Sequence, residues 1–207
     1  MNLKLVIINY GMGNLWSVYS AFKYLGVDVN VSSEPKDILA ADILVLPGVG
    51  SFKQAMNSLE NKGLVSIIKE AVLVKKTKTL GICLGMQLFA EFGFEDGHAD
   101  GLGFIKRSVD KFQLNGEAEF KLPHIGFNNV NFSSGSILGA GLKSASDFYF
   151  VHSYRMSAEG LPGQVGICDY GGKFLAAYEC DNLFATQFHP EKSQTNGLQL
   201  LSNFLLA

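Results

Sequence analysis

Short apolar runs alternate with helix-like stretches through roughly the first 90 residues, and this alternation constrains the fold more than any other feature. Leu3 to Ile8 is nearly all apolar, as a strand buried on both faces must be. It ends in Tyr10-Gly11-Met12-Gly13-Asn14, and Leu15 to Leu25 then follows helical spacing. Val27 to Val31 reads as a second strand, and Glu34-Pro35 opens a short helix with proline at an early helical position. Ile43 to Leu46 is a third strand, stopped by Pro47-Gly48-Val49-Gly50. Two helical stretches separated near Gly63, a fourth strand from Thr79 to Ile82, and a helix expected from Leu84 to Phe92 complete the pattern. Strands joined by helices predict an α/β fold, with a mostly parallel central sheet and helices on both faces.

After about residue 96, glycine, asparagine and serine punctuate shorter β-like runs such as Phe148 to Val151, Gly166 to Cys168 and Phe174 to Tyr178. These predict an added antiparallel or mixed β portion. Leu183 to Phe188 is expected as a last strand, and Gly197 to Leu206 as a closing helix. No repeat or linker interrupts the chain, so residues 1–207 read as a single domain, and 47% hydrophobic content is enough for one core. With 17% charged residues and a net charge of −2, the composition carries no electrostatic footprint for nucleic acid or an anionic membrane. The apolar runs fall far short of the ~20 residues of a membrane span. The opening MNLKLVIINYG is too short for a signal peptide and reads as a strand. Three cysteines without CxxC spacing point to a reducing cytoplasm.

Gly81-Ile82-Cys83-Leu84-Gly85 has the form of a nucleophile elbow, with cysteine where a hydrolase would place serine. A sharp strand-to-helix turn lifts the side chain off the sheet, and glycines on both sides allow close backbone approach. The N-terminus of the following helix favours thiolate over thiol. Cys168 and Cys180 lack such a setting and read as small hydrophobes. Of four histidines, His189 is the best placed proton donor, because it follows an apolar strand and precedes Pro190. Glu191 is near enough to orient its ring, which makes Cys83, His189 and Glu191 a candidate catalytic triad. The turn Pro47-Gly48-Val49-Gly50-Ser51 offers the Gly50 N–H as one oxyanion donor, with the Leu84 N–H as the second. It is not a phosphate loop, because no Gly-Lys-Ser/Thr follows, and Gly11-Met12-Gly13 has Trp16 where a dinucleotide fingerprint needs a third glycine. No His or Cys pair has metal-ligand spacing, so neither a metal nor a cofactor is expected.

Gly81-Ile82-Cys83-Leu84-Gly85-Met86-Gln87 and His189-Pro190-Glu191 together resemble the class I (triad) glutamine amidotransferases, whose fold is flavodoxin-like. Within that group, several stretches resemble the glutaminase subunit of imidazole glycerol phosphate synthase, which serves histidine biosynthesis. They are Tyr10-Gly11-Met12-Gly13-Asn14, Leu46-Pro47-Gly48-Val49-Gly50, Pro123-His124-Ile125-Gly126, Tyr149 to Tyr154, and His189 to Gln194. The resemblance implies that Cys83 attacks the side-chain amide of L-glutamine, that His189 protonates the departing ammonia, and that water hydrolyses the thioester. It implies that Gln87 and the backbone at Ser153 and Tyr154 bind the amino-acid part of glutamine, with Glu95 taking the amine. His152 is expected to anchor a loop, and His124 to serve a docking face. A (β/α)₈ barrel cyclase would form a heterodimer with the chain and receive the ammonia. Asn9, Ile125 and Phe127 depart from the usual Asp, Met and Trp, which leaves open a paralogue supplying ammonia for an amidino group on a bacterial surface sugar. A γ-glutamyl hydrolase or cysteine peptidase could use the same triad without a partner.

Overall fold

The computed structural model describes residues 3–113, 120–143 and 145–207, so the other positions of the expected 1–207 domain lie outside the described residues. The first half contains β1 (Lys4–Ile8), α1 (Leu15–Tyr24), β2 (Asp28–Ser32), α2 (Pro35–Leu39), β3 (Ile43–Gly48), α3 (Phe52–Asn61), α4 (Leu64–Lys69), β4 (Lys78–Cys83) and α5 (Leu84–Leu88). Then follow β5 (Ala90–Gly93), β6 (Ala99–Asp100), β7 (Ile105–Lys111), β8 (His124–Phe132), β9 (Ser146–His152), β10 (Tyr154–Arg155), β11 (Gln164–Asp169), β12 (Lys173–Cys180), β13 (Leu183–Thr186) and α6 (Gln194–Leu206).

Among the described residues, nine strands form one sheet in the order β2-β1-β3-β4-β13-β12-β11-β8-β9. From β2 to β13 all pairings are parallel. From β13 outward all are antiparallel. The parallel strands are apolar throughout because side chains alternate between two covered faces. Leu5, Ile7 and Val45 pack with Val18 and Phe22 of α1 and Leu200, Leu201 and Phe204 of α6. Val6, Ile8 and Leu44 face the opposite way, toward Ile38, Phe52, Leu59, Ile68 and Leu84 of α2 to α5. A second sheet, β10-β7-β5-β6, lies beyond α5. No helix among the described residues is long and apolar enough to cross a membrane.

One element differs from expectation. The helix expected from Leu84 to Phe92 ends at Leu88, and Ala90–Gly93 is strand β5. A short apolar run fits both periods, and here tertiary pairing decides. Backbone N–H groups of Gly101, Leu102, Gly103 and Ile105 donate to Glu91, Leu88, Ala90 and Phe89 and draw this segment into the second sheet.

Candidate active site

Cys83 ends β4 with φ 55° and ψ −110°, a strained conformation for a residue with a Cβ. Two close approaches hold the turn in place. A Cβ at Gly85 would land inside the Leu46 carbonyl of β3, and one at Gly81 would lie 2.8 Å from the Gly85 oxygen. The glycines flanking Cys83 are therefore required by packing, and they set α5 directly against the sheet. Leu84 opens α5, so its N–H has no helical acceptor.

β13 lies beside β4 in parallel register, with Thr186 opposite Ile82, so the chain beyond β13 emerges at the same sheet end as Cys83. The segment leading to His189 is tied to the adjacent strand β12 and to the edge strand β9. Gln187 N–H donates to Ala176 O at 2.8 Å, and His189 N–H donates to Tyr149 O at 2.9 Å. Phe188 stacks on Phe148 with ring centroids 4.1 Å apart. Ser193 Oγ donates to His189 O at 2.6 Å and accepts from Tyr149 N–H at 3.0 Å. His189 is thus held on a braced loop.

His189 Nδ1 lies 2.7 Å from Glu191 Oε1; among the described residues the buried Nε2 has no hydrogen-bond partner, which leaves it available to Cys83. Burial opposes a charge on His189, but the Cys83 sulfur and the Glu191 carboxylate outweigh it and push the imidazole pKa up to about 10. The arrangement favours an imidazolium at His189, facing the Cys83 sulfur.

Gly50, Cys83, Leu84, Gln87, Glu95, Ser153, Tyr154 and His189 line one cavity of about 300 Å³, with Glu191 behind His189. Gly50 has φ +101°, a conformation suited to glycine. Glu95 reaches the rim from the β5–β6 turn and accepts from Phe52 N–H at 3.3 Å. Burial raises the Glu95 pKa, the Phe52 N–H opposes that shift, and Asp96 adds to it. A larger groove of about 480 Å³ lies between Trp16 and Tyr24 on α1 and Leu198 on α6; it touches Glu191 from behind, away from Cys83.

The class-I glutamine amidotransferase family model matches residues 6–207. The chain belongs to the class-I glutamine amidotransferase family. Imidazole glycerol phosphate synthase subunit HisH 1 of Campylobacter jejuni is 47% identical to this amidotransferase over 202 residues, covering 97% of this chain and 98% of that one. Imidazole glycerol phosphate synthase subunit HisH of Aquifex aeolicus is 45% identical over 203 residues, covering 98% and 96%. The structure of PurLQS from Thermotoga maritima matches with TM-score 0.73 at 15% identity, covering 100% of this chain and 99% of that one. At that identity the likeness speaks for the fold alone.

The amidotransferase structure corrects one expectation. His124 does not present itself on a docking face: it is 2% exposed, with its ring stacked on Tyr170 and Phe150 at 3.9 and 4.8 Å. Strand alternation explains this, because His124 points inward while Ile125 and Phe127 on β8 are exposed. His124 Nδ1 lies 3.1 Å from His152 Nε2, and His152 Nδ1 lies 2.8 Å from Tyr154 O. His152 therefore anchors the cavity loop, as expected. Two further groups near Cys83 carried no sequence signal of a role. Tyr10 has a buried hydroxyl without a hydrogen-bond partner among the described residues, and burial together with the nearby Cys83 raises its pKa. Gln187 is fully buried, with Nε2 3.9 Å from Cys83 Sγ.

Proposed function

We propose that this amidotransferase, acting as one domain over residues 1–207, is the glutaminase subunit of an imidazole glycerol phosphate synthase in histidine biosynthesis. The observation that carries the chemistry is the meeting of a strained Cys83 with the His189–Glu191 pair in one cavity. The Cys83 thiolate adds to the amide carbon of glutamine, and the negative charge passes to the amide oxygen, facing the N–H groups of Gly50 and Leu84. Imidazolium His189 gives its proton to the amide nitrogen as the C–N bond breaks, releasing ammonia and leaving a thioester on Cys83. His189 then takes a proton from water, hydroxide displaces the sulfur, and glutamate leaves. Glu191 holds the ring so that Nε2 faces the reaction.

Substrate contacts follow from the remaining lining. Both hydrogens of the Gln87 amide go to Tyr154 O and Gln187 Oε1, so Gln87 Oε1 is the group left to accept from glutamine. Glu95 offers a carboxylate to the α-amine, and the Ser153–Tyr154 backbone offers polar groups to the other end.

The names of relatives such as those from Campylobacter jejuni and Aquifex aeolicus support the histidine pathway over a surface-sugar acceptor. A (β/α)₈ barrel cyclase is the proposed partner, and exposed Ile125 and Phe127 support docking near β8. The three free cysteines fit a reducing cytoplasm. The test is reconstitution with the barrel subunit from the same source: glutamine hydrolysis coupled to imidazole glycerol phosphate formation is the expected result. Amination of a sugar instead would overturn the pathway, and strong partner-free hydrolysis of γ-glutamyl peptides would overturn the subunit reading.

A further inference from the structure

Gln187 sits between the nucleophile and Gln87, and a chain of obligatory partners determines which way its amide faces. The Tyr154 carbonyl can only accept, and Gln87 Nε2 lies 3.1 Å from it. The Gln87 NH₂, rather than its carbonyl, must therefore occupy that side. The same nitrogen is 3.0 Å from Gln187, which must present Oε1 to it. With Oε1 committed, the Gln187 NH₂ is turned toward Cys83, where Nε2 lies 3.9 Å from Sγ. Turning Gln187 over would set two NH₂ groups against each other and aim a carbonyl dipole at the sulfur. His152 Nδ1, 2.8 Å from the Tyr154 oxygen, holds the anchor from the other side. Gln87 and Gln187 are both buried, so water does not offer an easy alternative partner.

We propose that Gln187 is a positioning residue that directs an N–H at the Cys83 thiolate while locking Gln87, both orientations being dictated by the Tyr154 carbonyl. The effect on glutamine binding rests on the glutaminase reading; the contact with Cys83 does not. The thiolate has a donor other than His189, so its charge is shared between two groups before it attacks and again when hydroxide displaces it from the thioester. The link to Gln87 couples placement of the nucleophile to placement of the substrate.

The test uses Gln187→Glu, which keeps the shape and the acceptor for Gln87 but not the donor, and Gln187→Met, which removes both. Each variant is assembled with the synthase partner, and iodoacetamide labelling of Cys83 is followed by peptide mass across pH. In Gln187→Glu the pH midpoint of labelling is expected to rise by about one unit, through loss of one donor to a charged acceptor. In Gln187→Met the KM for glutamine is also expected to rise about tenfold, because Gln87 loses an acceptor. Wild-type midpoints and KM values in both variants would overturn the proposal. So would a fall in kcat with midpoint and KM unmoved, the mark of a purely structural role. Should Gln187→Met fail to fold, the isosteric Gln187→Glu decides alone. A wild-type complex inert toward glutamine would defeat the glutaminase reading, while the labelling midpoint would still decide the contact.

Discussion

Glu191 Oε1 lies 2.7 Å from His189 Nδ1, with both side chains at most 2% exposed. In the proposed reaction a carboxylate at that nitrogen selects the tautomer and steadies the imidazolium, while the proton itself travels through Nε2. Glu191→Ala is therefore expected to lower glutamine turnover by roughly 10²-fold and His189→Ala by roughly 10⁴-fold, the two ends of the range for general acid–base catalysis. Steady-state glutamate release in the assembled complex measures both. Equal losses would assign Glu191 a direct part in proton transfer.

Cys83→Ala is expected to abolish glutamate release while leaving the fold and partner binding intact, as read by gel filtration of the complex. The left-handed backbone at Cys83 adds a second expectation. Cys83→Gly relieves that strain and is expected to melt higher than Cys83→Ala, by the equivalent of about 1 kcal/mol. An identical melting temperature for the two would mean that the elbow stores no strain.

The oxyanion assignment separates binding from chemistry. A Cβ at Gly50 would meet only the end of the flexible Met12 side chain, at 2.7 Å, so the cost of Gly50→Ala lies in its φ of +101°. Loss of the loop conformation removes a donor that acts on the developing charge, so kcat is expected to fall about 10²-fold with little change in KM. A rise in KM alone would move Gly50 from the oxyanion to the substrate.

The buried imidazole pair makes stability depend on pH. Burial, first of all, lowers His124 to about 4 and His152 to about 3; His124, His189 and Arg155 lower His152 further, against the opposing Tyr154 carbonyl. In the unfolded chain both titrate near ~6.5, so below that pH the unfolded state binds protons that the native state refuses. Stability is expected to fall as pH drops from about 6.5 toward 4. His189 has the opposite sign. Its contribution is complete below about 6.5 and disappears as pH rises through about 10. The urea midpoint is expected to drop between pH 7 and pH 5, and the drop to shrink by roughly half in His124→Gln, which removes one of the two protons. An undiminished drop in that variant would place the titration elsewhere.

The parallel half of the fold is readable from the sequence because each of its strands is buried on both faces, so Leu5 to Ile8 and Ile43 to Leu46 show no polar interruption. Cys83 and His189 are readable for a related reason: glycine and proline mark the ends of adjacent strands. Ala90–Gly93 is not, since its strand state comes from hydrogen bonds to residues 101–105, which local periodicity does not encode. β8 is obscured by Asn128, Asn129 and Asn131, and only His124 and Val130 along it are buried. His124 shows how one residue of register reverses the meaning of a motif: its neighbour Ile125 is exposed while His124 is enclosed. Gln187 has no local mark at all, because its partner Gln87 lies 100 residues away and only the sheet brings them together.

The position of β13, between β4 and β12, also fixes when this site comes into being. Chains emerge from the ribosome N-terminal end first and begin to fold as they do. When residue 182 has been added, Cys83 and the Gly50 turn have already been synthesised, but Gln187, His189 and Glu191 have not. The gap beside β4 is filled only by Leu183–Thr186, among the last residues of the sheet to appear. The nascent chain therefore carries Cys83 without the His189–Glu191 pair, which reaches it only as the sheet closes.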